Sequence, residues 1–314
     1  KNRVDTELML GILRKAGYRI TADEREADIL IVNTCGFIEP AKQESIDTLL
    51  SLARYKQEGK LKLLAATGCL TQRYEQAILQ DMPEVDLVLG VSQYPMLPRA
   101  IEEALAGKRP SYCAPESTVL CGERVLTTAP YTAYVRIADG CDNRCAYCII
   151  PDVRGPIRSR ALEDVRREAL ALGAAGYREV VLTGIHLASY GRDFKDGTSL
   201  LDAIEAVCAA PGVQRVRLGS LEPAWIDETY AARMAAQERL CPQFHLSLQS
   251  GCDKVLGRMR RRYTTAQFRR AVAALRESFP GCAITTDVIC GFAGETEQDF
   301  EETIEFCKEI GFAR

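Results

Sequence analysis

No uninterrupted apolar run in this 314-residue sequence approaches the roughly 18 residues that a membrane-crossing helix needs, so the expectation is a soluble, folded protein with no membrane partner. Nor does either sign of charge dominate. Forty Lys and Arg against 43 Asp and Glu leave a net charge of −3, which supplies no global attraction to phosphate backbones. A nucleic-acid partner would need a local patch. The run Arg258-Met259-Arg260-Arg261-Arg262 is the densest candidate, and a solvated helix face is the alternative reading. Histidine is nearly missing: His186 and His245 are the two present, and a lone histidine after a strand is commonly structural, so neither is assigned a catalytic role. The sequence opens on Lys1 and stops at Arg314 within a patterned segment, so both ends read as cut and no targeting signal can be judged.

Cysteine, by contrast, is abundant. Thirteen cysteines, an odd number, in a chain with an α/β pattern do not resemble a small disulfide-stapled secreted domain. The expected compartment is the reducing cytoplasm. There, clustered cysteines are metal ligands or redox groups, and scattered ones are small core residues. Cys113, Cys121, Cys208, Cys241, Cys252, Cys282, Cys290 and Cys307 read as incidental.

The length suits about two domains. In residues 1–106, Val4, Leu8 and Ile12 recur at helical spacing, and residues 27–33 form a β-branched apolar strand. A helix with Ile46, Leu49, Leu50 and Ala53 on one face follows, then strands over 61–66 and 85–89, giving a parallel α/β layer. Cys35 and Cys69 fall just beyond the C-terminal ends of two strands, where open parallel sheets place their ligand sites. Residues 107–128 have weak periodicity and read as a linker. From 129 to 314 the alternation resumes, with strands near 133–138, 179–183, 215–218, 244–248 and 283–289 and helices such as 162–175 and 264–277, the latter opened by a Thr264/Gln267 capping box. Five such units favour a β/α barrel with reactive groups on the loops after its strands and a further unit missing at the C-terminus.

The first of these loops is Gly140-Cys141-Asp142-Asn143-Arg144-Cys145-Ala146-Tyr147-Cys148. Three thiolates at this spacing can hold three corners of a four-iron cluster and leave the fourth iron open to a substrate or cofactor. A zinc site with a distant fourth ligand, or simple buried thiols, are the alternatives on spacing alone.

A CxxxCxxC loop with Tyr147 before its last cysteine, after the first strand of a β/α barrel, resembles the radical S-adenosylmethionine (SAM) superfamily. The resemblance implies a 4Fe-4S cluster on Cys141, Cys145 and Cys148, fed by an electron donor, whose open iron binds SAM and whose electron cleaves it to a radical that takes hydrogen from the substrate. It also implies SAM contacts at Tyr147, Gly184, Ser247, Gln249 and Gly291, where Gly291 would let the backbone approach the adenosyl group. The expected fold is thus an N-terminal parallel α/β domain followed by a partial radical SAM β/α barrel, C-terminally truncated. An electron-transfer protein whose clusters never meet SAM, and a zinc-stabilised binding module, are the readings of other classes.

Residues 32–38 and 41–45 with Thr67-Gly68-Cys69-Leu70 resemble the methylthiotransferase branch of this superfamily. That branch implies a second 4Fe-4S cluster, here with Cys35 and Cys69 as two of three ligands and the third lost ahead of Lys1. The reaction implied is sulfur insertion into an unactivated C–H bond followed by methylation. The two halves point to different acceptors. Residues 1–130 resemble enzymes acting on an aspartate of a small-subunit ribosomal protein. In the barrel, residues 183–191, 217–223 and 245–251 resemble enzymes acting on threonylcarbamoyl-adenosine of tRNA beside the anticodon. Weighting the barrel more heavily, the expected substrate is tRNA, with the ribosomal protein as the alternative.

Overall fold

The computed structural model describes residues 2–114, 119 and 121–314. It separates into two compact units, Lys1–Thr127 with Ile149–Gly155, and Thr128–Cys148 with Pro156–Arg314. Among the described residues no helix is long and apolar enough to cross a membrane.

The first unit is built on a parallel sheet in which Ile29–Thr34, Leu63–Gly68, Leu87–Leu89 and Ser111–Tyr112 lie side by side in chain order. The strand Leu63–Gly68 is buried along its whole length, because helices cover both faces. Leu63 and Ala65 pack with Leu8 and Leu13 of the first helix and with Leu97 and Ile101. Leu64 and Ala66 point the other way and pack with Leu49, Leu70 and Ile78. The period-two alternation of one apolar strand thus serves two cores.

Two features depart from the expected boundaries. Ser111–Tyr112, within the segment read as a linker, adds a strand to this sheet, with Val88 paired to Ser111. Residues 124–127 are also anchored: the buried Glu7 carboxylate accepts from Arg124 Nη1 at 3.0 Å and from Thr127 N at 2.8 Å. A two-residue strand has no periodicity to read, and a buried carboxylate that captures a distant loop leaves no local signal. Residues 115–118 and 120 of that linker lie outside the described residues. The second departure is Ile149–Gly155, which belongs to the first unit although the sequence pattern leaves it in the barrel. Val153 packs there with Cys69 and Val91.

In the second unit, Thr132–Arg136, Glu179–Thr183 and Arg215–Leu218 form one parallel sheet. Gln243–His245 pairs with Ala283–Thr285, also parallel. The bridge Leu221 to Leu246 joins the two sets, so five strands follow one another as in an incomplete barrel. The helices Leu162–Ala174, Leu200–Cys208, Glu228–Ala235, Thr265–Ser278 and Glu297–Ile310 alternate with them. The expected capping box is present: Thr264 Oγ1 accepts from Gln267 N while Gln267 Oε1 accepts from Thr264 N. A short antiparallel pair, Ala138–Asp139 with Arg158–Ser159, was not legible beforehand, being two residues long on each side.

Candidate functional site

In the barrel unit the chain turns sharply at Gly140, whose φ of 72° is the left-handed region glycine tolerates, and the cysteine loop begins. The backbone N–H of Gly140 donates to Asp139 Oδ1 at 2.8 Å. Within the loop, Asn143 N donates to Cys141 Sγ at 3.4 Å and Cys148 N donates to Cys145 O at 3.0 Å. Burial pushes the Cys141 thiol up, and the neighbouring Cys148, Cys145 and Glu222 push the same way, so the three thiols share one electrostatic neighbourhood. Loss of protons from three adjacent thiols is opposed unless positive charge enters with them. Among the described residues no three His, Cys, Asp or Glu side chains converge on one ion position. A cube-shaped cluster does not ask for that, since each thiolate binds a different iron.

A buried polar group lies behind the loop. Glu222, 5% exposed at its side chain, follows the strand Arg215–Leu218; His186 follows the strand Glu179–Thr183. His186 Nε2 lies 2.5 Å from Glu222 Oε2, and Asn143 Nδ2 donates to the same oxygen at 3.2 Å. Arg261 Nη2 lies 3.3 Å from Glu222 Oε1, and Arg261 Nη1 donates to Cys145 Sγ at 3.2 Å. Burial alone would raise the Glu222 pKa, but His186, Arg261 and Asn143 together hold it below the usual carboxylate range. Glu222 is therefore an anion at neutral pH.

This overturns the phosphate-patch reading for part of the run 258–262. Arg261 is turned inward, 9% exposed at its side chain, and Arg258 donates to Gly294 O. Asn143, Glu222, Arg261 and Tyr263 went unrecognised in the sequence. The available signal was a glutamate and a histidine just past strand ends, since strand ends in such barrels face the reactive mouth.

The residues expected to meet SAM are placed as follows. Tyr147 stands edge-on to Phe292, with ring centroids 6.4 Å apart, over a cluster of Cys252, Val255 and Met259. Burial raises its hydroxyl to about 12. Gly291 has a φ of 71° and open space where a Cβ would stand, and its N–H and that of Phe292 both donate to Glu295 Oε2. Gln249 holds a φ of 70°, uncommon for a side chain of its size, while its backbone is bonded to Asp287 and Ile289. Ser247 is half-buried, and its carbonyl accepts from Tyr263 OH. At Gly184 a Cβ would stand 3.2 Å from Ala138 O and 3.3 Å from Leu187, so the backbone there packs closely.

In the first unit, the register sets Thr34 opposite Gly68, so Cys35 and Cys69 leave adjacent strand ends at the same level. The Cys35 N–H donates to Ser45 Oγ at 3.0 Å, which gives the motif serine of residues 41–45 its role. A Cβ on Gly36 would press within 3.0 Å of the Cys69–Leu70 peptide. Gly68 has a φ of 112°, and a Cβ there would stand 2.5 Å from Thr34 O. Gly68→Ala is expected to cost about 2 kcal/mol or more, read as a fall in the urea midpoint. Cys69 begins the helix Cys69–Asp81. Burial raises its thiol, Arg154 draws it back down, and Asp5 and Cys35 push it up. Arg154 Nη2 lies 3.1 Å from Asp5 Oδ2, both nearly fully buried. Removing one member of such a pair strands the other's charge, so Arg154→Ala should cost about 3 kcal/mol in the same measurement.

Residues 135–307 match the family model described as the Radical SAM superfamily, and residues 1–90 match the one described as Uncharacterized protein family UPF0004. The chain is 44% identical over 318 residues to the ribosomal protein uS12 methylthiotransferase RimO of Desulforudis audaxviator, covering 100% of this chain and 70% of that protein. To the RimO of Geobacter sulfurreducens it is 44% identical over 321 residues, 100% of this chain and 71% of the relative. Among solved structures, the radical SAM methyltransferase TsrM of Kitasatospora setae superposes with a TM-score of 0.68 at 13% identity, covering 99% of this chain and 67% of that one. The cobalamin-dependent SAM radical enzyme OxsB gives 0.65 at 12%, covering 96% of this chain and 49% of that one. These two likenesses concern the fold.

Proposed function

Because this chain belongs to the radical SAM methylthiotransferases, we propose that its acceptor is an aspartate of ribosomal protein uS12. The observation that carries this choice is the relatives' identity of 44% across the full chain, barrel included, in proteins named for uS12. The tRNA expectation rested on barrel motifs, and it gives way for a physical reason. Those motifs supply His186 and Glu222, which bond to each other and to Asn143 and Arg261 behind the cysteine loop, and Ser247, whose carbonyl accepts from Tyr263 beneath Arg261, so their sequence speaks for the support of that loop rather than for the acceptor.

The family implies a 4Fe-4S cluster and SAM. Cys141, Cys145 and Cys148 fit such a cluster: three thiols on one loop, a backbone N–H directed at Cys141 and a guanidinium at Cys145. Once bound there and reduced by a one-electron donor, the cluster supplies the electron that cleaves SAM to a carbon radical. This chain's residues do the positioning. Tyr147 and Phe292 bring apolar surface to the loop, packed edge to face over Cys252, Val255 and Met259. The open backbone at Gly291 leaves room for an adenosyl group, and Ser247 and Gln249 are assigned as further SAM contacts. Cys35 and Cys69 are assigned to a second cluster, and a cytoplasmic location suits both the ribosomal acceptor and the free thiols.

The test is incubation of the anaerobically reconstituted full-length protein, carrying the third cysteine expected ahead of Lys1, with SAM, reductant, and uS12 or tRNA, followed by mass spectrometry. Methylthio-aspartate in uS12 is the expected product. Methylthio-adenosine in tRNA with uS12 unmodified would overturn the choice of acceptor.

A further inference from the structure

We infer that Arg261 is a positioning residue that holds Cys145 and biases the redox balance of the group its loop carries, with Glu222 as its opposing charge. This rests on the reading of Cys141, Cys145 and Cys148 as cluster ligands. The run Arg258-Met259-Arg260-Arg261-Arg262 clasps the cysteine loop. Ala146 N donates to Met259 O at 3.0 Å, and Arg262 Nη2 donates to Asp142 O at 3.4 Å. Between these contacts Arg261 reaches the sulfur itself.

Its guanidinium is fixed on several sides. Nη1 donates to Cys145 Sγ at 3.2 Å, Nη2 faces Glu222 Oε1 at 3.3 Å, and Nε donates to Tyr263 Oη at 3.2 Å. Tyr263, buried beneath, donates in turn to Leu248 O at 2.6 Å. Glu222 is held by His186 and Asn143, so neither member of the ion pair can swing away without breaking other bonds. A planar fork of donors that stays charged at every physiological pH suits this task, and a flexible ammonium would not reproduce it.

One-electron reduction by an external donor adds one negative charge to a cluster and adds or removes no atom. A donor aimed at a ligating sulfur, and a cation beside it, stabilise the reduced form; a buried carboxylate opposes it. With both charges largely withdrawn from water, screening is weak and the two effects are separately measurable. The signs differ. Arg261→Gln should lower the midpoint potential and Glu222→Gln should raise it, whereas mere loosening of the loop would move both the same way.

The experiment is anaerobic reconstitution of the full chain with iron and sulfide. Iron is counted, and the reduced-cluster electron paramagnetic resonance signal is then titrated with dithionite in each variant. For Arg261→Gln the expected result is at least a tenfold loss of reduced cluster at fixed ambient potential, a downward shift of about 59 mV. Glu222→Gln should shift upward. Arg261→Lys, which keeps the charge without the fork, should load iron fully and fall between Arg261→Gln and the unsubstituted chain. If Arg261→Gln fails to load, Glu222→Gln and Arg261→Lys still decide: an upward shift in the first with a smaller downward shift in the second supports the inference, and any other pair of shifts overturns it. Unchanged potentials in fully loaded variants, or a downward shift in Glu222→Gln, also overturn it. Failure of the unsubstituted chain to take up iron would instead defeat the cluster reading beneath it.

Discussion

Cys145→Ala is expected to reduce SAM cleavage to background, measured as 5′-deoxyadenosine released under reducing, anaerobic conditions. The cause is local. Cys145 is the middle thiol of the loop and the one that Arg261 contacts, so its removal takes away one of the three proposed ligands and the group on which the buried cation is aimed. The fold should survive, because Arg261 keeps Glu222 and Tyr263, and Cys145 is only half-buried. A change of about 1 kcal/mol or less in unfolding free energy is therefore expected alongside the lost activity. Wild-type levels of deoxyadenosine from this variant would exclude Cys145 as a ligand.

The second large effect separates the two units. In the full-length protein, Cys35→Ala or Cys69→Ala should abolish methylthiolated product while leaving deoxyadenosine formation in place, since both thiols lie in the first unit and the Cys141, Cys145 and Cys148 loop lies in the second. Cys69 is the more demanding position. It is buried, its thiol is raised by that burial, and Arg154 offsets only part of the rise. Product formation at an undiminished rate in both variants would remove the second cluster from the scheme.

How far the sequence was legible depended on whether a residue acts locally. The cysteine loop, the strands that deliver Cys35 and Cys69, and the Thr264/Gln267 cap were all readable, because spacing, apolar periodicity and capping chemistry are properties of neighbours in the chain. Arg261 shows why other parts were not. In sequence it is one cation in a basic run, and only the fold brings it 116 residues back along the chain to Cys145. His186 reads as structural and Glu222 is not singled out, since their meaning lies in facing each other across strand ends. Residues 149–155 follow Cys148 directly and were read with the barrel, yet Arg154 is committed to Asp5. The sequence gives no warning of a contact made over that separation. The expected acceptor shifted from tRNA to the alternative for a related reason: motifs at strand ends carry weight as substrate-reading in the sequence, while in the fold His186 and Glu222 bond to each other and to Asn143 of the cysteine loop.

The most direct measurement is iron, zinc and deoxyadenosine determined on one sample of the anaerobically reconstituted chain given SAM and dithionite. Iron bound to the chain with deoxyadenosine released is the result expected if Cys141, Cys145 and Cys148 hold a cluster that meets SAM. Zinc without iron, or iron with no deoxyadenosine, would contradict it.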